Sequence, residues 1–274
     1  MNARIPLVDA VRIERAEARA WLDLHAAAPQ GAIDSLGLRA RTLGSVALLA
    51  ADHSDSLLHN RVIGVGLLEP ASDALLDRVA QHYARNASGY AINLCPLAEP
   101  HDTPDQLARR GFQTFFHHVK WVRGATMPES ARTDLRIAPV QLADAECFSE
   151  TVHEHDTPAR EAQLAWTAAS VGRPRWTHLL AWDGGQPVAG AAVFVDGDTA
   201  WLGQAHTRES FRRRGAQQAL LSERIRLAIA AGATLFTTET APDWPDLPRE
   251  SLRNVARAGF RVAYQRPSWI RLAS

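Results

Sequence analysis

From the amino end, apolar positions first recur at helical spacing. Val8 to Ala28, rich in Ala, Arg, Glu and Leu, predicts a helix that stops before Pro29-Gln30-Gly31. Ser45–Ala51 and Val62–Leu67 are short apolar runs of strand type. Ser72 to Arg85 returns to the helical period, with Ser72 as its N-cap. Tyr90–Leu94 then reads as a short buried strand, Pro104–Arg110 as a short helix and Phe112–Val122 as an extended run. Gly124-Ala125-Thr126-Met127-Pro128-Glu129-Ser130 breaks the pattern and reads as a linker.

Beyond the linker the order is clearer. Leu135–Ile137 predicts a strand, and Leu142–Glu154 and Ala159–Ala169 predict helices. Three strands follow at His178–Trp182, Pro187–Val195 and Thr199–Ala205. Asp183-Gly184-Gly185-Gln186 and Asp196-Gly197-Asp198 have the Asp-Gly chemistry of antiparallel hairpins. A helix from about Ala216 to Ala231 should bury Leu221, Ile225, Ala228 and Ile229 and stop at Gly232. Ala233–Thr238 suits an interior strand. A loop carrying Pro242, Pro245 and Pro248 leads to a helix at Glu250–Ala258, and Phe260–Tyr264 and Ser268–Leu272 are the last strands.

One stretch echoes another. Leu107-Ala108-Arg109-Arg110-Gly111-Phe112-Gln113 and Val255-Ala256-Arg257-Ala258-Gly259-Phe260-Arg261 are each a short helix ending in Gly-Phe before a strand, and each is followed by a tryptophan, Trp121 or Trp269. Two copies of one domain is the economical reading.

Composition narrows the chemistry. Lys+Arg and Asp+Glu both total 30 in 274 residues, so no global field draws the chain to nucleic acid or anionic membrane. Lys120 is the sole lysine, which disfavours Schiff-base mechanisms. Cys95 and Cys147 form no CxxC or Cys/His metal pattern and read as buried free thiols of a reducing compartment. The start, Met1-Asn2-Ala3-Arg4-Ile5-Pro6, lacks a signal-peptide pattern, and no run approaches the ~20 apolar residues of a membrane span. The expectation is a cytoplasmic protein, a monomer or homodimer, with neither a nucleic-acid nor a membrane partner.

One run of positive charge stands at a chemically significant place. Phe211-Arg212-Arg213-Arg214-Gly215-Ala216-Gln217 sets three arginines and a glycine at a helix start. The first N–H groups of a helix have no partner within it, and the dipole adds partial positive charge, so a diphosphate would satisfy both.

On the order of elements and this loop, the second half, roughly Leu135 to Leu272, resembles the GNAT superfamily of CoA-dependent N-acetyltransferases. The family loop, (Gln/Arg)-x-x-Gly-x-(Gly/Ala), is matched by Arg212-Arg213-Arg214-Gly215-Ala216-Gln217, apart from Gln217 at the last position. That position works through its backbone N–H, so a side chain directed to solvent would leave the cofactor site intact. Thr238-Glu239-Thr240 and Ser251-Leu252-Arg253-Asn254 match a bacterial branch of the family. The first half resembles the same fold in degenerate form. Its helix from Ser72 follows Gly66-Leu67-Leu68-Glu69-Pro70-Ala71, which offers a diphosphate no arginine and one repelling glutamate.

The resemblance implies an α/β (α+β) chain of two tandem GNAT-like domains, each a mixed, mostly antiparallel sheet flanked by helices. The degenerate copy would cover residues 1–124, the linker 125–133 and the acetyltransferase domain 134–274. Acetyl-CoA would be the acyl donor and a small amine the acceptor, with no metal. Ala205, His206 and Thr207 would bind the pantetheine arm through their backbone. Arg212, Arg213, Arg214, Gly215, Ala216 and Gln217 would hold the diphosphate, and Asn254 would bond the arm or fix the Glu239 loop.

Acetyl transfer needs a positioned thioester, a polarised carbonyl, a base for the ammonium and a proton for the thiolate. Glu239, at the carboxyl end of an interior strand, is the candidate base. The family's tyrosine acid, four residues before the glycine of Gly-Phe, is Val255 here, which leaves Tyr264 as a substitute or as a residue packed in the sheet. His153, Glu154, His155 and Asp156 do not converge as metal ligands and read as a polar loop lining the acceptor pocket. The alternative is a non-catalytic CoA-binding or regulatory protein of the same fold.

Overall fold

The computed structural model describes residues 5–85, 89–154, 159–241 and 250–271. The amphipathic amino-terminal segment forms α1 (Leu7–Ala27), followed by α2 (Gln30–Leu36), β1 (Leu38–Leu43), β2 (Val46–Ala51), β3 (Arg61–Ile63), α3 (Asp73–His82), β4 (Tyr90–Asn93), α4 (Thr103–Arg109) and β5 (Gln113–Gly124). The second half supplies β6 (Arg136–Pro139), α5 (Ala145–Val152), α6 (Arg160–Ala168), β7 (Trp176–Asp183), β8 (Gln186–Asp196), β9 (Thr199–Thr207), α7 (Ala216–Ala230), β10 (Leu235–Thr240), α8 (Glu250–Arg257) and β11 (Arg261–Arg271).

Two compact units result, and they do not follow the two halves of the sequence. Unit 1 is Met1–Ala26, Gln30–Lys120 and Val262–Ser274; unit 2 is Ala27–Pro29 and Trp121–Arg261. In unit 1, β1, β2 and β3 pair antiparallel, β3 runs parallel to β4, and β11 pairs antiparallel with β4 through Ser268↔Asn93 to Arg271↔Tyr90. The two strands expected at 260–264 and 268–272 are therefore one strand that counts with the first unit. Pro267 interrupts the sequence signal, and its carbonyl accepts from the Leu94 N–H at 3.0 Å. Leu272 lies outside the described residues.

In unit 2, β6, β7, β8 and β9 form an antiparallel meander, and β9 runs parallel to β10. Both hairpin turns sit where Asp-Gly put them. Asp183 pairs with Gln186 and Asp196 with Thr199, with Gly184 and Gly197 at φ near +60°.

The repeat is also conformational. Gly111 and Gly259 end α4 and α8 at φ +82° and +83°, and the N–H of the following phenylalanine returns to the carbonyl of Leu107 or Val255. Phe112 and Phe260 are both buried behind these turns.

Each unit covers its sheet with the helix of its parallel crossover. In unit 1, Leu76 and Val79 of α3 pack on Val62 and Ile92. In unit 2, Ala216 and Leu220 of α7 pack on Leu179, Ala181 and Ala189. The edge strand β1, with exposed Arg41 and Thr42, was absent from the sequence prediction because its polar positions give no buried alternation.

Unit 1 also buries charge. Glu14 and Glu17 of α1 lie under the sheet with Arg61, Lys120 and Arg266. Arg266 bridges both glutamates at 2.8 Å, and Lys120 reaches Glu17 at 2.7 Å. Burial works against the Glu17 carboxylate, but Arg266, Lys120 and Arg61 together hold it well below the usual range. Cys95 is buried, and burial followed by Glu14 pushes its thiol up to about 12. Cys147, expected to be buried, is only partly so.

Candidate active site

In unit 2 the parallel pair β9 and β10 stays in register only through Leu235↔Thr199, Phe236↔Ala200 and Thr237↔Trp201. Beyond it, Thr238 Oγ1 still donates to the Leu202 carbonyl at 2.9 Å, and Thr240 Oγ1 accepts from Trp121 Nε1 at 2.9 Å. Successive strand residues alternate sides, so Glu239 lies on the opposite side from these two threonines. It is partly exposed at the carboxyl end of β10.

β9 changes direction at the same level. Gly190 pairs with His206, but Ala192 pairs with Gly203, so one extra residue is accommodated on β9 at Gln204-Ala205, where Gln204 takes φ +46°. This is a β-bulge, which leaves backbone groups of the bulged strand outside the ladder. Beneath it lies Arg224 of α7, 2% exposed, which donates from Nη1 to the carbonyls of Ala192 (3.0 Å) and Gly203 (3.3 Å) and from Nε to that of Leu220 (3.2 Å). Burial lowers its pKa to about 9. The sequence reading missed Arg224, although it lies three residues after Leu221 and so within the buried stripe. Ile229, placed in that stripe, is only partly buried.

The arginine-rich loop joins β9 to α7. Gly215 is the N-cap at φ +81°, and a Cβ there would run into the Arg132 carbonyl oxygen, so both conformation and space require glycine. No side chain caps α7 and its first turn holds no acid, which leaves the N–H groups of Ala216, Gln217 and Gln218 ahead of the first helical bond from Ala219 to Gly215. Thr133 Oγ1 fixes the loop by donating to the Arg214 carbonyl at 2.8 Å.

The three arginines divide. Arg214 is bound to Asp183 (2.6 and 3.1 Å) and to Asp134, and it lies over the Phe211 ring. That side chain staples the loop. Arg213 is exposed with φ +66°, and Arg212 is exposed with Glu209 3.5 Å away.

Gln217 does not point freely to solvent. Its Oε1 accepts from Asn254 Nδ2 at 2.6 Å, so Asn254 bonds the first turn of α7. Tyr264, the substitute acid, is 2% exposed in unit 1, where its hydroxyl donates to Glu14 at 2.7 Å. Burial and then Glu14 raise its pKa well above 10. Val255, at the family's acid position, is buried.

His206 does more than its backbone role required. Its Nε2 lies 2.8 Å from Glu154 Oε2, and the imidazole holds that carboxyl below its ordinary range. Nearby, His153 Nε2 is 2.8 Å from Thr167 Oγ1, and burial, His206 and Arg160 together lower its pKa. His155, Asp156 and the loop with Pro242, Pro245 and Pro248 lie outside the described residues. Among the described residues, no group of three or more His, Cys, Asp or Glu could hold a metal ion, and no helix is long and apolar enough to cross a membrane.

The corresponding helix of unit 1, α3, has its start already filled. Ser72 caps α3 by accepting from the Leu75 N–H at 3.2 Å, and Asp73 occupies the first turn.

Comparison with known proteins agrees with this geometry. Residues 140–238 match the family model of the acetyltransferase (GNAT) domain. A GCN5-related N-acetyltransferase from Kribbella flavida superposes with TM-score 0.64 at 19% identity, covering 95% of each chain. A functionally unknown conserved protein from Staphylococcus epidermidis gives 0.58 at 13%, covering 87% of this chain and 96% of its own. A tandem GNAT protein from the clavulanic acid biosynthesis pathway gives 0.54 at 15%, covering 78% and 75%. No curated protein matches by sequence.

The chain therefore has the fold of the GNAT N-acetyltransferases, and residues 140–238 are the part that matches the family's domain model.

Proposed function

We propose that this protein is an acyl-CoA-dependent N-acyltransferase that moves acetyl from acetyl-CoA to a primary amine of a small molecule or peptide, with the second domain (134–274) as the working copy. The observation that carries this reading is the end of the β9–β10 ladder at Thr237↔Trp201 beside an uncapped, acid-free helix start. The residues present suit a CoA thioester. The N–H groups of Ala216, Gln217 and Gln218 and the exposed Arg212 and Arg213 would bind the diphosphate. The bulge at Gln204-Ala205 would offer the arm and acetyl carbonyl the backbone of Ala205, His206 and Thr207.

Two groups stand ready to take the ammonium proton: Glu239, and His206 backed by Glu154. The amine nitrogen then attacks the thioester carbonyl carbon, the C–S bond breaks, and the nitrogen's second proton passes through water to the thiolate, since the Tyr264 hydroxyl is given to Glu14. The first domain (1–124) is the degenerate copy, because Ser72 and Asp73 already fill its helix start. A non-catalytic CoA-binding protein would show the same cofactor groups but no turnover.

Calorimetry should detect acetyl-CoA binding, and free thiol should appear from acetyl-CoA only when an amine from a panel of amino acids, peptides and aminoglycosides is added. Binding without thiol release for any acceptor would reduce the proposal to the CoA-binding alternative. If Glu239→Gln leaves the rate and its pH profile unchanged while His206→Asn flattens the acid limb, the base is His206.

A further inference from the structure

Unit 1 contains a cavity of about 450 Å³ that the proposed chemistry does not use, lined by Arg39 and Arg41 on one side and by Arg78, Gln81, His82 and Arg85 on the other. Two independent periodicities build it. Arg39 and Arg41 are two apart on β1, which turns both side chains to one face. Arg78, His82 and Arg85 stand at i, i+4 and i+7 along α3 and its end, which gives one helical stripe.

The charge there is one-sided. Arg39 is fixed by Asp52, with Nε and Nη2 donating to its two oxygens at 2.6 and 2.7 Å, and its Nη2 also donates to the His82 carbonyl at 3.1 Å. Arg41, Arg78 and Arg85 are exposed, and among the described residues none of them has a carboxylate or other hydrogen-bond acceptor. Four guanidiniums thus share one carboxylate. His82 responds to this field: burial first, then Arg39 and Arg41, bring its pKa to about 4, so it is neutral at pH 7. Arg39 Nη1 lies 3.5 Å from its Nδ1, which leaves the proton on Nε2, a buried donor without a partner.

Arginine on an edge strand hinders edge pairing, and arginine at a helix end complements the dipole. Those roles account for each residue singly but not for the cavity between them. The volume falls within the ~300–1,000 Å³ usual for small-molecule sites and exceeds the need of a lone phosphate.

We propose that this cavity binds a diphosphate-bearing small molecule, with Arg41, Arg78 and Arg85 donating to phosphate oxygens and the Asp52-anchored Arg39 forming the fixed wall. Guanidinium forks match phosphate oxygens in geometry as well as charge. Gln81 and the neutral His82 are left for the organic part.

The test is calorimetry with inorganic pyrophosphate and, separately, ADP, at constant ionic strength, with the wild-type cavity and its variants all carried on Gly215→Asp so that the α7 loop is not the site measured. The wild-type cavity should show saturable binding, and the Arg41→Ala/Arg78→Ala double variant should weaken it by about tenfold or more, as expected on losing charge-assisted bonds. Arg85→Ala, just beyond the helix, is a second variant that decides the matter if the double change lowers the melting temperature. Tighter ADP than pyrophosphate shows that the organic part is also bound; equal affinities make the diphosphate the whole determinant. No saturable binding to the wild-type cavity, or equal binding by it and the variants, overturns the proposal whether or not acetyl-CoA binds unit 2.

Discussion

Asn254 and Gln217 are joined by a 2.6 Å hydrogen bond that ties α8 to the first turn of α7. The position at which this chain departs from the family loop is thus occupied by a side chain with a specific partner. Either Asn254→Ala or Gln217→Ala should weaken acetyl-CoA binding about fivefold, as for loss of ~1 kcal/mol, and the double variant should be no worse than the single ones. Additive losses in a calorimetric double-mutant cycle would show that the two residues act separately.

Gly215 combines φ +81° with the Arg132 carbonyl directly where a Cβ would stand. Gly215→Ala should therefore cost at least ~1 kcal/mol in denaturant melts, and Gly215→Asp should also reduce acetyl-CoA affinity by more than tenfold by placing a carboxylate at the helix start. An Asp variant with wild-type affinity would remove this loop from the cofactor site.

Arg224 holds the carbonyls of Ala192 and Gly203, the strand partners at which the β9 bulge begins. Arg224→Met keeps the bulk but leaves those carbonyls without a donor, so a loss of about 2 kcal/mol is expected, together with a fall in the rate of thiol release. Unaltered turnover in a stably folded variant would mean that the bulge does not depend on this arginine.

His178 in unit 2 is buried against Phe148 and Trp176, with Nε2 2.9 Å from Ser170 Oγ, and burial lowers its pKa from 6.5 to about 4. The unfolded chain takes up this proton near pH 6.5 and the folded chain only near pH 4. Stability is therefore full above pH 6.5 and falls as the pH drops towards 4, by up to about 3 kcal/mol. Urea melts at pH 7 and 4.5 should show a smaller difference for His178→Gln than for wild type.

Lys120 is fully buried on Glu17 in unit 1. Lys120→Met removes one of three cations that hold the Glu17 carboxylate charged, and about 3–5 kcal/mol of stability should be lost. Pairing it with Glu17→Gln should recover part of that loss. No recovery would show that Lys120 matters for packing alone.

Local chemistry made much of this legible. Asp-Gly turns fixed the β7–β8 and β8–β9 registers, and Gly-Phe marked the ends of α4 and α8, because each needs only neighbouring residues. The arginine loop was visible as an anion site, but the diversion of Arg214 to Asp134 and Asp183 depends on residues some 80 and 31 positions away. Tyr264 stayed open as a substitute acid or a packed residue because nothing near it in the sequence reveals Glu14, 250 residues earlier. Glu154 and His206, 52 apart, were each read singly for the same reason.

The placement of β11 also bears on synthesis. Unit 1 takes its strand next to β4, and the Arg266 that neutralises Glu14 and Glu17, from residues translated only after the whole of 121–261. The nascent chain must carry an unfinished first unit, with two carboxylates still lacking that cation, while everything from Trp121 onward is translated. A stop codon in the linker would thus release not a smaller stable domain but a fragment missing part of its own sheet, and co-expressing the remainder in trans would be the way to complete it.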